Sequence, residues 1–162
     1  MTTIASKLTA ASVMTPEPVC VEPTTTIRQL ARILEEHDIS GAPVVSKEGR
    51  VVGIVSMSDL IRRYVEGTLV VPPSYFFELL RETGGEEAEL LPEQTAFVED
   101  FMTEDPVTVP PGAPVGRIAR RMHSEHIHRV IVVDEEAFPV GIITSLDLLG
   151  RWPSERPGAG SS

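Results

Sequence analysis

Two short steps in this sequence place a carboxylate three residues after a hydroxyl: Asp59 follows Ser56, and Asp147 follows Thr144. Each step stands where a β-type apolar run gives way to a helical pattern. The N–H groups at such a helix start lack partners and favour an anion such as a phosphate. An ionised carboxylate only accepts hydrogen bonds, and it can receive them from both hydroxyls of a ribose.

A structural explanation accounts for the same spacing. Ser56 and Asp59 also fit a capping box, in which side chains at the start of a helix satisfy backbone N–H groups. Such a box needs no ligand. The spacing alone therefore leaves capping and ligand binding open.

Three histidines, His123, His126 and His128, form a second group of chemically capable side chains. A structural zinc site takes four ligands, and no cysteine is near this cluster. The histidines also straddle the predicted end of a helix and the start of a strand, so they need not converge. We predict a solvated helix end without metal. The next residue, Arg129, carries a guanidinium fork that suits phosphate geometry, and a surface salt bridge is the alternative for it.

Composition excludes several classes of function. The net charge is −10, but ten of the 24 acidic residues lie in residues 78–105 beside one base, so the remainder is nearly neutral. No basic face is available for nucleic acid. No apolar run approaches the roughly 20 residues that span a bilayer, and a single cysteine, Cys20, fits a reducing cytoplasm. We expect a cytoplasmic protein that binds neither nucleic acid nor membrane.

Signatures of catalysis are also missing from the sequence. It contains no Gly-x-x-x-x-Gly-Lys phosphate loop, no Gly-x-Ser-x-Gly elbow and no plausible set of acid, base and nucleophile. We therefore predict that the protein is not an enzyme and uses no catalytic cofactor.

The elements that position these side chains come from an internal duplication, because residues 13–63 align without a gap with residues 101–151. Each copy predicts a strand, a helix, two strands and a final helix. In the first copy the short run at 18–21 is β-type, and Thr24 or Thr25 can cap the helix that follows. Strands at 42–45 and 51–55 are joined by a glycine-containing hairpin.

These patterns predict an α+β fold of two β-α-β-β-α repeats, at 13–66 and 99–152. An acidic, partly helical connector lies between them at 67–98. The tail at 153–162 is rich in Pro, Gly and Ser and is expected to be disordered.

The duplicated motifs resemble those of cystathionine-β-synthase (CBS) domains, whose tandem is often called a Bateman module. The first copy carries Val13-Met14-Thr15, Pro18-Val19, Gly53-Ile54-Val55-Ser56 and Asp59-Leu60. The second carries Phe101-Met102-Thr103, Pro106-Val107, Gly141-Ile142-Ile143-Thr144 and Asp147-Leu148. The resemblance implies two repeats packed about a pseudo-twofold axis, in a stand-alone regulatory module. It also implies adenosine-containing ligands in the inter-repeat cleft, and often a homodimer.

The resemblance further implies two ligand sites that each draw on both copies, with Asp59 and Asp147 holding the ribose. The first site comprises Ser56, Ser58, Asp59, Thr103, Pro106, Val107, Ile127, His128, Arg129 and Val130. The second comprises Thr15, Pro18, Val19, Ile39, Ser40, Gly41, Ala42, Thr144, Leu146 and Asp147.

The two predicted sites differ in charge. His128 and Arg129 fall in the first site, which is therefore expected to prefer AMP, then ADP or ATP. Ser40 and Gly41 bring no cation to the second site. That site is expected to be weaker, or to take a less negative ligand such as S-adenosylmethionine.

We therefore predict a regulatory sensor that binds adenosine nucleotides without turnover, forms a homodimer and reports to a regulated protein that the sequence does not identify. One alternative is an interaction or assembly module with degenerate ligand sites, in which Tyr75-Phe76-Phe77 and Trp152 contact a partner. Another is a module that binds S-adenosylmethionine.

Overall fold

The computed structural model describes residues 8–65 and 97–151. The predictions for the tail, for nearly all of the connector and for its aromatic residues lie outside these ranges. Within them, the elements in chain order are α1 (Ala10–Val13), β1 (Thr15–Pro16), α2 (Ile27–Glu36), β2 (Gly41–Val45), β3 (Val51–Ser56), α3 (Met57–Val65), a 3-10 turn (Val98–Asp100), β4 (Thr103–Glu104), β5 (Thr108–Val109), α4 (Val115–Glu125), β6 (Arg129–Val133), β7 (Pro139–Thr144) and α5 (Ser145–Arg151). The α+β class predicted from the sequence is confirmed.

The chain divides into two compact units. A central unit comprises Pro18–Pro106, and a terminal unit comprises Met1–Glu17 together with Val107–Ser162. The boundaries of these units do not follow the linear copies at 13–66 and 99–152. The opening segment of the first copy lies in the terminal unit, with most of the second copy. The opening segment of the second copy lies in the central unit, with most of the first copy.

Strand pairing shows this exchange directly. In the terminal unit, β1 of the first copy pairs with β7 of the second, with Thr15 opposite Ile142. In the central unit, β4 of the second copy pairs with β3 of the first, with Thr103 opposite Ile54. Each unit therefore combines both ends of the duplicated motif, one from each copy.

The terminal unit is built on a sheet in the order β1-β7-β6-β5. Strands β6 and β7 form an antiparallel hairpin, and β5 runs parallel to β6 because α4 crosses between them. Val130, Val132 and Ile143 are fully buried in its core, and Ile118 of α4 packs over them. Helix α4 is capped at its C-terminal end by His126, whose φ of 55° turns the chain toward β6.

The central unit has a sheet in the order β2-β3-β4, covered by α2 and α3. The predicted hairpin is confirmed as β2 and β3, which pair antiparallel. The β-type run predicted at 18–21 is reduced to one residue, Val21, which forms a parallel bridge to Val44.

The predicted cap of α2 was wrong by one or two positions. The N-cap is Thr26, whose hydroxyl accepts from the Gln29 N–H at 3.1 Å, while the Gln29 side chain accepts from the Thr26 N–H at 3.0 Å. Thr25 instead accepts from the Glu22 N–H in the preceding turn. Gln29 fixes the N-cap at Thr26, because the second residue of a capping box stands three positions after the N-cap.

None of the helices in the described ranges has the length and apolar character that crossing a bilayer requires.

Candidate functional site

In the central unit, Ser56 ends β3 and Asp59 stands in the first turn of α3. The Asp59 Oδ2 atom accepts from the Ser56 N–H at 2.8 Å and from the Ser56 hydroxyl at 3.2 Å. Asp59 is only 5% exposed, and both residues are buried. A carboxylate in this position satisfies an N–H group at the helix start and favours the positive end of the helix dipole.

The terminal unit repeats this geometry at Thr144 and Asp147, between β7 and α5. The Asp147 Oδ2 atom accepts from the Thr144 N–H at 2.8 Å and from the Thr144 hydroxyl at 3.0 Å. The Asp147 N–H donates a hydrogen bond to the Thr144 hydroxyl at 3.3 Å, which completes a reciprocal capping box. The capping box considered from the sequence is therefore complete at Thr144 and Asp147, whereas at Ser56 and Asp59 the carboxylate half of it is present.

Both carboxylates keep acceptor positions that capping does not use. An ionised carboxylate offers about four such positions, and the capping bonds take two of them, both on Oδ2. The two steps differ at the remaining oxygen. The Asp59 Oδ1 atom accepts from the Arg62 guanidinium at 3.2 Å. The residue of the second copy that corresponds to Arg62 is Gly150, which has no side chain to offer.

Backbone hydrogen bonds attach each step to the preceding hairpin strand. In the central unit Gly41 pairs with Ser56, and the Met57 N–H donates to the Ser40 carbonyl at 2.8 Å. The terminal unit has the same arrangement. There Arg129 pairs with Thr144, and the Ser145 N–H donates to the His128 carbonyl at 2.8 Å.

The exchanged strands bring further predicted residues to the same sheets. Exposed Thr103 lies opposite Ile54, two residues before Ser56. Exposed Thr15 lies opposite Ile142, two residues before Thr144. Each unit therefore carries a second hydroxyl residue on the strand beside its Ser/Thr-x-x-Asp step.

The members of the first predicted site are divided between the units. The central unit holds Ser56, Ser58, Asp59, Thr103 and Pro106, and the terminal unit holds Val107, Ile127, His128, Arg129 and Val130. The grouping of these residues into one site stays a prediction. Val130 is fully buried in the core of its unit, so only its backbone is available to a ligand.

The second predicted site is divided in the same way. The terminal unit holds Thr15, Thr144, Leu146 and Asp147, and the central unit holds Pro18, Val19, Ile39, Ser40, Gly41 and Ala42. This grouping also stays a prediction. Ala42 is fully buried, whereas Leu146 is 75% exposed.

A pocket of about 310 Å³ lies inside the terminal unit. This volume is at the lower end of the range for small-molecule sites. The sequence singled out its three histidines, but it did not group them with Ser145 beside the Thr144 step. The lining residues are Met122, His123, His126, Ile127, His128 and Ser145. In the described part of the chain, no cluster of three or more His, Cys, Asp or Glu side chains could hold a metal ion.

Cys20 follows Pro18 and Val19 of the second predicted site. Its thiol donates a weak hydrogen bond to the Pro18 carbonyl at 3.4 Å. Burial raises the pKa of this thiol, because desolvation disfavours the thiolate. Cys20 is half-buried, so its surroundings favour the neutral thiol without enclosing it completely.

Comparison with known families decides the identity of the fold. The family model described as "CBS domain" matches residues 10–66 and 98–153. The chain belongs to the CBS domain family. An uncharacterized protein of Methanocaldococcus jannaschii is 31% identical over 142 residues, which cover 82% of this chain and 84% of the relative.

Solved CBS structures agree with this assignment. The CBS domain of a CBS domain-containing membrane protein from Sphaerobacter thermophilus is 33% identical, with a TM-score of 0.70, covering 88% of this chain and 86% of the other. A CBS domain pair crystallised with 5'-methylthioadenosine and S-adenosyl-L-methionine is 23% identical, with a TM-score of 0.69, covering 88% and 98%. A CBS domain protein from Pyrobaculum aerophilum complexed with AMP is 22% identical, with a TM-score of 0.67, covering 87% and 90%.

Proposed function

We propose that this CBS domain pair is a regulatory module that binds an adenosine nucleotide and does not transform it. The observation that carries the proposal is the paired carboxylate: Asp59 and Asp147 are both fixed at a helix start, and both keep acceptor positions beyond those used in capping. Solved CBS structures with AMP and with S-adenosylmethionine support the ligand class.

The proposed ligand order rests on charge. A site that joins Asp59 to His128 and Arg129 would suit AMP first and ADP or ATP next, because a guanidinium fork and imidazole groups favour phosphate. A site that joins Asp147 to Ser40 and Gly41 brings no cationic side chain. It would suit a ligand of lower negative charge, such as S-adenosylmethionine.

Regulation would follow from differential binding. A ligand shifts the protein toward the state that it binds more tightly, and by no more than its difference in affinity between the two states. We infer that a regulated protein reads this shift. The absence of catalysis and a cytoplasmic location form part of the proposal, and they rest on the missing catalytic motifs and on the single cysteine of the sequence.

A homodimer also forms part of the proposal. The final helix of each copy leaves large apolar side chains exposed: Ile61 and Val65 in α3, and Leu146 and Leu149 in α5, which are 49%, 78%, 75% and 73% exposed. Apolar surface of this kind marks an association face when it is contiguous. Leu149→Asp should raise the dimer dissociation constant measured by analytical ultracentrifugation.

The experiment that tests the function is calorimetric titration of the full chain with AMP, ADP, ATP, GMP, NAD and S-adenosylmethionine, with thermal unfolding in parallel. A ligand that binds only the folded state must raise the melting temperature by mass action. We expect AMP to bind and to raise it, and GMP to do neither. If none of the adenosine compounds binds, the proposal is wrong. The exposed leucines would then favour an interaction module with degenerate ligand sites.

A further inference from the structure

We propose that Arg62 makes the two ribose-binding aspartates unequal, because it occupies an acceptor position on Asp59, whereas no described side chain occupies the matching position on Asp147. The inference rests on the proposed function and concerns selection at the same sites. It predicts that the bare nucleoside binds more tightly at Asp147 than at Asp59.

Counting acceptor positions gives the physical basis. Of the roughly four positions on the Asp59 carboxylate, the Ser56 N–H, the Ser56 hydroxyl and the Arg62 guanidinium take three. On Asp147, the Thr144 N–H and hydroxyl take two, and no other described side chain donates to it. A ribose diol donates two hydrogen bonds. Asp147 can accept both as it stands, whereas Asp59 can accept one and must release Arg62 for the other.

Charge acts in the same direction. Arg62 lies against a carboxylate whose side chain is only 6% exposed, and it neutralises part of that charge before any ligand arrives. The positive guanidinium makes the electrostatic potential at the carboxylate less negative, and this weakens its attraction for further hydroxyl donors.

The Arg62 side chain is itself 60% exposed, so a binding ligand can displace it into water at a small cost in free energy. Exposed ion pairs are weak, and displacing one should change affinity by about two- to fivefold. The effect is therefore a graded difference between the sites rather than an obstruction of one of them.

The chain supplies a reciprocal test. No described atom stands within 4 Å of a β-carbon added at Gly150, so a side chain can start there without a clash. Gly150→Arg recreates in α5 the Arg62-Arg63 sequence of α3, because residue 151 is already arginine. Arg62→Ala removes the guanidinium and keeps good helix propensity.

The experiment is calorimetry of the full chain with adenosine and with 2′-deoxyadenosine, which lacks one of the two hydroxyls of the vicinal ribose diol. In an Asp147→Ala background, where only Asp59 remains, Arg62→Ala should tighten adenosine binding about two- to fivefold. In an Asp59→Ala background, Gly150→Arg should weaken it by a similar factor. Both changes should alter deoxyadenosine binding by a smaller factor, because one hydroxyl needs only the position that remains open in every case and only the charge of the guanidinium then acts on it.

The control variant is Arg121→Ala, which removes the same charge from a surface ion pair with Glu125. It should leave adenosine affinity unchanged. An affinity that Arg62→Ala leaves unchanged, or lowers, would overturn the inference while leaving the proposed function intact. A lowered affinity would mean that Arg62 contacts the ligand directly. If neither adenosine nor AMP binds the wild-type chain, the proposed function and the inference both fall.

Discussion

The sulfur of Met14 lies where a β-carbon of residue 141 would stand, and the side chain fits there because residue 141 is glycine. Met102 has the same relationship to Gly53, where an added β-carbon would lie 2.6 Å from the methionine sulfur. Each methionine belongs to one copy and each glycine to the other. A thioether packed on a bare α-carbon therefore holds each exchanged segment in its unit.

Gly141→Ala should destabilise the protein by about 1–3 kcal/mol, the usual cost of forcing an extra carbon into a packed site. Urea unfolding monitored by circular dichroism measures this free energy. Because the clash is with Met14, Gly141→Ala should cost less stability in a Met14→Ala background than it does in the wild type. An equal cost in both backgrounds would mean that some other contact requires the glycine.

Gly116→Ala provides the matched control for that experiment. Gly116 lies in α4, and nothing stands within 4 Å of an added β-carbon. The same substitution there should stabilise the protein by up to about 1 kcal/mol, because alanine is the better helix former. A lower unfolding free energy for Gly141→Ala and a higher one for Gly116→Ala would show that the loss at residue 141 comes from packing. The reduced backbone freedom of alanine is common to both variants and cannot explain it.

Asp59→Ala and Asp147→Ala should each weaken adenosine nucleotide binding at their own site by roughly 10- to 100-fold, the value of a charge-assisted hydrogen bond. Each change also removes a helix cap, so a loss of about 1 kcal/mol in stability should accompany it. Calorimetry with AMP measures the first effect and thermal unfolding the second. Glu48→Ala, on the exposed turn between β2 and β3, removes the same charge and should change neither.

The sequence predicted the elements whose cause is local. The strands β2 and β3 and the starts of α3 and α5 follow from alternation, helical spacing and turn residues near one another in the chain. The hydroxyl and carboxylate of each step also meet as predicted, because three residues of a helix start bring them together.

The residue pattern alone did not show the exchange of opening segments, because the two copies carry the same pattern; only the family resemblance grouped Thr103 with Asp59 and Thr15 with Asp147. A β-type segment such as Thr15-Pro16 fits the edge of either sheet, and hydrophobic periodicity cannot say which one it joins. The contact between Arg62 and Asp59 was missed for a different reason. It depends on a rotamer of a long, exposed side chain, although the spacing of three residues on a helix was visible as a signal.

Thr26→Ala should lower the free energy of unfolding by about 1 kcal/mol, because it leaves the Gln29 N–H without its capping oxygen. Thr24 is exposed two residues earlier, and Thr24→Ala should have an effect within about 0.5 kcal/mol. Urea unfolding of the two variants measures the difference. A larger loss for Thr24→Ala would return the cap to one of the positions that the sequence first suggested.

Cys20 should make stability fall at alkaline pH. Burial raises the pKa of its thiol, so the folded state holds the proton more tightly than the unfolded chain does. The resulting stability is fully present below the pKa of an unfolded thiol, about 8.5, and it is lost as pH rises from there through the higher folded value.

Cys20→Thr introduces the residue that the second copy carries at Thr108 and removes this titration. The difference in unfolding free energy between the wild type and Cys20→Thr should therefore be constant from pH 6 to about pH 8. Above about pH 8 the wild type should lose stability relative to Cys20→Thr.

Alkylation by iodoacetamide gives an independent check. Native Cys20 should react more slowly than the urea-unfolded chain at the same pH, since only the thiolate is nucleophilic. Equal rates would mean that the folded protein does not disfavour the thiolate.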